Sequence, residues 1–88
     1  MTHPMNVRDL GFNDSVTVGE RQLHVQTEVL GRHEMVICTT VLERGTVRVA
    51  EKRVLGAETT AEEIRAVVER QHQRHVQQLR EAVDRGSY

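Results

Sequence analysis

The chain has 88 residues, of which 38% are apolar, and it contains one Phe, one Tyr and no Trp. Twelve Lys and Arg residues stand against thirteen Asp and Glu residues, so the sequence lacks the basic excess that nucleic-acid binding normally requires. This length predicts a single small domain, whose core must be built from aliphatic side chains.

The N-terminus and the cysteine content bear on localisation. The opening MTHPMNVRDLGFN lacks the basic head and the apolar run of a signal peptide, and no stretch approaches the ~18 apolar residues of a membrane span. Cys38 is the only cysteine, which excludes an internal disulfide and fits a reducing compartment. We therefore expect a cytoplasmic protein with no membrane span and no nucleic-acid partner.

Two regions are expected along the chain. Residues 1–12 carry Pro4 and Gly11 and show no period, which predicts a flexible N-terminal arm that Phe12 attaches to the core. Residues 13–86 are expected to form a single α+β domain.

Four runs alternate between apolar and polar residues, as half-buried strands do. They are DSVTVG, QLHVQTEVL, EMVICTTVL and TVRVAEKRVL. The turns between them contain Gly19, Gly31 and Gly45 and are too short for a crossover helix, so consecutive strands must pair antiparallel. The sequence therefore predicts a four-stranded antiparallel meander.

After the fourth run the apolar period changes to that of a helix. Thr60 and Glu63 form a capping-box pattern, which predicts a start at residue 60 or 61, and Gly86 predicts the end. This long C-terminal helix measures roughly 36–39 Å, whereas the strands span only roughly 20–30 Å. We therefore expect its last turns, with Leu79 and Val83, to overhang the sheet.

A single helix can cover only one face of such a sheet. We expect the covered face to hold Val16, Val18, Leu23, Val25, Val36 or Ile37, Cys38, Val47 and Val49. The other face, which we call the open face, is expected to hold His24, Gln26 and Glu28 beside Thr17, Met35 or Val36, Thr39 or Thr40, and Arg48 or Lys52. Antiparallel sheets often leave one face in water.

The helix carries two histidines that raise the question of a metal. Glu69 and His72 have the spacing of carboxylate and histidine ligands in helical bundles, and His75 lies three residues further on. A metal- or small-ligand-binding protein is therefore the alternative function. However, a metal site needs ligands from other elements, and His24 is expected on the opposite face. We interpret His72 and His75 as residues that pack over the sheet or hydrogen-bond to it, and we predict no metal and no cofactor.

Signals of catalysis are weak. Cys38 lies within MVICTTVL, where a thiol is typically a small buried hydrophobe of little reactivity. His24 and Glu28 offer an imidazole and a carboxylate, but a flat sheet face provides no concavity that excludes water. The sequence also lacks the common nucleotide-binding and zinc-binding motifs. We predict that the protein is not an enzyme.

The open face remains the candidate functional surface. Mixed polar and apolar groups on a rigid sheet suit protein recognition, and outer strands can accept an added strand. The alternative is an idle, solvated face. We interpret the protein as an adaptor that contacts a partner protein or a second copy of itself. The candidate partner-binding residues are His24, Gln26, Glu28, Arg48 and Lys52.

The order of several short motifs resembles that of a known family. GFNDSVTV with Gly19, then HVQTE, then a Gly-turned hairpin and a helix with QHQRHVQQLR are similar to short deltaproteobacterial proteins with an F-N…V…H-V-Q-T-E opening. Among these, the small size and Arg-rich sequence resemble the RomX family of myxobacterial polarity proteins. The resemblance covers residues 11 to about 85. It implies a partner of the response-regulator protein RomR that acts with it as a nucleotide exchange factor for the Ras-like GTPase MglA at the cell pole, and it implies no role for any single residue.

Overall fold

The period-two runs form four strands, and the segment after them forms one helix. A computed structural model describes residues 10–31, 34–56 and 58–87. The strands are β1 (Gly11–Val18), β2 (Arg21–Leu30), β3 (Met35–Glu43) and β4 (Thr46–Leu55), and helix α1 spans Ala61–Asp84. The sheet order is β1-β2-β3-β4, and each neighbouring pair is antiparallel. The predicted α+β fold, a four-stranded meander with one C-terminal helix, is confirmed.

The predicted N-terminal arm falls largely outside the described residues, which begin at residue 10. β1 begins at Gly11, so residues 11 and 12 belong to the sheet rather than to an arm. The Phe12 side chain packs half-buried against the core, and its ring centroid lies 5.5 Å from that of His72. Phe12 therefore attaches the start of the sheet to the helix.

Both ends of α1 are capped as the sequence indicates. The Thr60 side chain accepts a hydrogen bond from the backbone N–H of Glu63 at 3.2 Å, which satisfies one of the free donors of the first turn. At the other end Gly86 takes a positive φ of 69°, and its N–H donates to the carbonyl of Val83, as in a glycine-terminated helix. Within the described part of the chain, no helix combines the length and the apolar character that a membrane span requires.

Helix α1 lies across β1, β2 and β3 and buries its apolar stripe against them. One core cluster consists of Val16, Leu23, Val25, Val41, Val76 and Leu79. A second consists of Val29, Ile37, Ile64 and Val68. The predicted overhang is wrong, because Leu79 is buried in the first cluster and Val83 packs against it. The central strands have ten and nine residues, so they span roughly 30–33 Å and nearly match the ~36 Å of the helix.

Cys38 lies on the opposite face from the one predicted. Ile37 packs against α1, so the next side chain in the strand must point to the open face. There Cys38 lies between its cross-strand neighbours Glu28 and Lys52, and it is nevertheless buried. The predicted burial of the thiol is confirmed, whereas the predicted face is wrong.

A β-bulge in β4 moves Val47 as well. The register pairs Val41 with Val49 but Leu42 with Val47, which leaves Arg48 as the extra residue. A bulge shifts the alternation of side chains by one position, so Val49 stays on the helix side while Val47 joins the open face. The predicted place of Val47 on the covered face is therefore wrong.

Candidate functional site

The polar row of β2 lies on the face of the sheet opposite α1. His24 and Glu28 are exposed and Gln26 is half-buried, and they alternate with buried residues that face the helix. The cross-strand neighbours of Gln26 are Asn13 on β1 and Thr40 on β3. The sequence offered Met35 or Val36, Thr39 or Thr40, and Arg48 or Lys52 for the open face. The structure places Val36, Thr40 and Lys52 there.

Charged and polar groups of the row are held apart by the sheet. His24 Nδ1 lies 3.1 Å from Ser15 Oγ, its cross-strand neighbour, so the ring is oriented although it is exposed. Glu28 and Lys52 lie in one cross-strand row with Cys38 between them. Two strand spacings separate their backbones by roughly 10 Å. The two opposite charges are therefore presented to solvent rather than to each other.

Apolar side chains lie at both ends of this row. Leu30, Val36 and Val54 are aligned across β2, β3 and β4, and Leu30 and Val54 are 42% and 60% exposed. At the other end Val47 is exposed beside its cross-strand neighbour Leu42. The open face thus combines apolar patches with separated charges, a combination that suits contact with another protein.

Arg48 does not join the open face. Its Nε lies 3.9 Å from Glu43 Oε1, and Arg21 donates two hydrogen bonds to the same carboxylate at 2.6 and 2.7 Å. These bonds from Arg21 hold the pKa of Glu43 below its ordinary value of 4.5. Glu43 pairs with Leu23, which faces α1, so Arg48 extends to the helix side. Four of the predicted partner-binding residues share the open face: His24, Gln26, Glu28 and Lys52.

A line of polar groups, all of them buried except Asp14, connects α1 to the face of the sheet that it covers. His72 is fully buried, and its Nε2 lies 2.7 Å from Asp14 Oδ2 on β1. Its Nδ1 lies 2.8 Å from Thr27 Oγ1 on β2, which in turn lies 2.7 Å from Thr39 Oγ1 on β3. Gln71 Nε2 donates to Thr39 Oγ1 at 3.0 Å. The predicted hydrogen bonding of His72 to the sheet is confirmed, and we call these five residues the polar line.

The carboxylate at one end of the polar line sets the direction of its hydrogen bonds. An ionised carboxylate only accepts, so His72 Nε2 donates to Asp14. In the neutral ring Nδ1 then accepts from the Thr27 hydroxyl, and Thr27 accepts from Thr39. The amide nitrogen of Gln71, which only donates, closes the other end. Each hydroxyl therefore gives one hydrogen bond and receives one.

Asp14, His72 and Thr27 follow the carboxylate, imidazole and hydroxyl order of hydrolase triads. In those enzymes the hydroxyl oxygen must reach a substrate carbonyl. Thr27 is 1% exposed, and its hydroxyl lies against Thr39. The arrangement therefore fits a structural role, in which hydrogen-bonded polar groups specify one placement of the helix on the sheet. Gln71 Oε1 is the one buried side-chain nitrogen or oxygen atom, among the described residues, that has no hydrogen-bond partner.

A second set of contacts connects α1 to β4 at Glu51. Arg74 Nη2 donates to both carboxylate oxygens of Glu51, at 2.6 and 2.7 Å, and His75 Nε2 lies 2.6 Å from Oε1. The hydrogen bond from Arg74, followed by the one from His75, holds the pKa of Glu51 below its ordinary value of 4.5. Glu51 is thus the residue through which β4 is attached to the helix.

The two helix histidines do not converge on one site. His72 contacts Asp14 and Thr27, whereas His75 contacts Glu51. His24 lies on the opposite face of the sheet, as predicted. In the parts of the chain that the structure describes, no group of three or more His, Cys, Asp or Glu side chains is placed to hold a metal ion. Metal or ligand binding by His72 and His75 therefore stays a prediction without a supporting geometry.

The sequence reasoning missed the partners of His72, although a signal for them was present. Thr27 and Gln71 stand at positions that the strand and helix periods assign to the core. A polar residue at such a position needs a hydrogen-bond partner, because an unpaired buried polar group costs about 1–3 kcal/mol. The partners themselves lie on other elements, so their identity was not readable from local pattern.

No protein-family model, no curated protein and no solved structure matches this chain. The resemblance to the RomX family therefore stays a prediction. The function has to be inferred from the surfaces and the buried groups of the molecule itself.

Thr27→Val tests the polar line. Valine has nearly the shape of threonine but leaves His72 Nδ1 without a donor and the Thr39 hydroxyl without an acceptor, although Thr39 still accepts from Gln71. We expect the free energy of unfolding to fall by about 1–3 kcal/mol, measured by urea denaturation. Thr40→Val, the same change on the open face, should alter it by less than about 0.5 kcal/mol. Equal losses in the two variants would contradict the proposed role of the line.

Stability should decline as the pH falls below 4.5. Because the folded state lowers the pKa of Glu51 from 4.5, ionised Glu51 stabilises the fold above that pH, and this contribution is lost as the carboxyl becomes protonated in the folded state. Glu51→Gln should therefore show a shallower decline than the natural chain in urea denaturation between neutral and acidic pH. The same slope in both proteins would show that Glu51 is not a stabilising partner of Arg74 and His75.

Proposed function

We propose that the protein is a protein–protein interaction module, an adaptor that binds its partner through the open face. The proposal rests on the exposure of Leu30 and Val54 beside Val36 on a rigid sheet face. Burying apolar surface contributes about 25 cal/mol per Å², and contiguous exposed apolar patches typically mark contact sites. This patch is therefore suited to binding another protein.

The separated charges of the open face supply selectivity. Glu28 and Lys52 present opposite charges on two different strands. The contact with the Ser15 hydroxyl orients the exposed His24 ring. A partner has to match this order of charges, because a like charge opposite either residue would stay unpaired on burial. The surface thus favours particular partners over general adhesion.

The alternative of an idle, solvated face is less consistent with the outward residues. A face that only meets water is typically polar at its outward positions. Leu30, Val47 and Val54 are instead large, apolar and exposed. These three residues favour a contact role over a purely solvated one.

The resemblance to the RomX family supports a proposal for the partner. We infer that the chain binds a response-regulator protein and, together with it, promotes nucleotide exchange on a Ras-like GTPase. Such a role places it in the cytoplasm at a cell pole. The support is the motif order quoted above, and no residue of the open face takes its role from that resemblance.

Gln26→Arg tests the open face directly. Because Gln26 is at the centre of the row, a larger charged side chain there should weaken capture of a partner from cell extract about tenfold, or ~1.4 kcal/mol. The free energy of unfolding should change by less than about 0.5 kcal/mol. Gln73→Arg is the matched control, since Gln73 is exposed on the helix. Unchanged capture by Gln26→Arg, or equal loss in both variants, would contradict the proposal.

A nucleotide-release assay tests the identity of the partner. The protein and the response regulator are added together to a Ras-like GTPase loaded with a fluorescent guanine nucleotide. We expect release to accelerate by about tenfold or more, which corresponds to ~1.4 kcal/mol of barrier, and Gln26→Arg to reduce that acceleration. No acceleration, with or without the response regulator, would rule out the RomX-like role while leaving the adaptor role to the capture experiment.

A further inference from the structure

The helix leaves part of the inner side of β4, around Val49, exposed. Four strands are about 19 Å wide, whereas one helix is about 10–12 Å across, and α1 lies over β1, β2 and β3. Val41 on β3 is buried under the helix, but its cross-strand neighbour Val49 on β4 is 43% exposed. The strip of the sheet left open beside α1 is therefore roughly 7–9 Å wide, and a second helix placed there would extend past the edge of β4.

A groove runs between this strip and the side of α1. It encloses about 150 Å³ and is lined by Val41, Val49, His75, Gln78, Leu79 and Ala82. That volume is below the roughly 300–1,000 Å³ typical of small-molecule sites, but it suits one apolar side chain inserted as an anchor. The small side chain of Ala82 lets another backbone approach the helix closely. We call this feature the β4 groove.

Positive charge flanks the β4 groove. Arg48 and Arg53 are exposed on the helix side of β4, on either side of Val49 and Glu51. Glu51 itself is paired with Arg74 and His75. Arg48 Nε lies 3.9 Å from Glu43 Oε1, a carboxylate that also accepts two hydrogen bonds from Arg21, so this one carboxylate faces two guanidinium groups. The flanks therefore favour carboxylates on whatever enters the groove.

A second copy of the chain is a poor occupant. The outer surface of α1 is polar, since its apolar stripe is already buried, so a second α1 offers no apolar residue to the groove. Direct pairing of two β4 strands brings Arg48, Lys52 and Arg53 of both copies together, and bulges and positive charges on edge strands oppose such pairing. These features favour a different polypeptide over either of these two modes of self-association.

From these features we propose that the β4 groove binds an amphipathic helix of a partner protein. One apolar residue of that helix inserts between Val49 and Leu79, and acidic residues on its flanks face Arg48 and Arg53. The helix lies beside α1 and completes the second layer of the domain, which is the helix-in-groove mode of recognition. This inference goes beyond the adaptor role proposed for the open face, because it concerns the opposite side of the sheet.

Two helix-stabilised peptides of about 16 residues test the proposal by NMR titration into the full chain. Both carry Leu at i, i+4 and i+7, and one has Glu on its flanks while the other has Lys. We expect the acidic peptide to shift the signals of Val49, Leu79 and Ala82, and the basic peptide to bind at least about tenfold more weakly. Binding of the acidic peptide should also weaken as salt is raised.

Two valines of β4 provide a matched pair of variants. Val49→Asp should weaken binding of the acidic peptide at least about tenfold, whereas Val54→Asp on the open face should leave it unchanged, with circular dichroism confirming that both variants fold. The absence of shifts at ~1 mM peptide, or equal binding by Val49→Asp, would overturn the proposal.

Two further results would overturn the proposal in distinguishable ways. Shifts confined to Leu30 and Val54 would assign peptide binding to the open face and leave only the adaptor role standing. A dimer in light scattering that Val49→Asp dissociates would assign the β4 groove to a second copy of the chain.

Discussion

The hydrogen bonds of His72 determine how this small protein is assembled. The ring is buried between Asp14 on β1 and Thr27 on β2, so one side chain relates the helix to two strands at once. A rotation or a shift of α1 would leave the imidazole unpaired in the core, at about 1–3 kcal/mol, and would separate the Thr27 hydroxyl from its acceptor while its contact with Thr39 stays within the sheet. Aliphatic packing is less directional than hydrogen bonding, because a core of Val and Leu residues can be repacked at similar volume. The polar line therefore gives a valine-rich core one defined arrangement.

The position of α1 decides which surfaces remain available for contact. The helix is held over β1, β2 and β3, and no other helix or strand in the described part of the chain packs on the open face or on the inner side of β4. The two surfaces differ in chemistry: the open face offers Leu30 and Val54 beside separated charges, whereas the β4 groove offers one apolar cleft between arginines. Glu51 connects β4 to α1 through Arg74 and His75. These contacts fix the positions of the two elements that line the groove, β4 and α1.

Most of the fold was predictable because local signals agree with one another. The period of two, the short glycine turns and the capping box at Thr60 gave the elements and their antiparallel order. The bulge at Arg48 was not readable, since one extra residue leaves the apolar pattern of β4 intact while it reverses the faces of Val47 and Arg48. The partners of His72 lie 58 and 45 residues away in sequence, beyond any local pattern. The residues of the open face were therefore easier to predict than the buried hydrogen bonds on the helix side of the sheet.

NMR with a soluble paramagnetic probe would show directly whether the helix lies on the face of the sheet that holds Asp14 and Thr27, the two partners of His72. The probe broadens the methyl signals of residues that solvent reaches. The signals of Val47, Val49 and Val54 should broaden strongly, and those of Leu23 and Val68, which are fully buried, should stay sharp. Protection of Val54 together with broadening of Leu23 would place the helix on the other face, and the assignment of both contact surfaces would then be wrong.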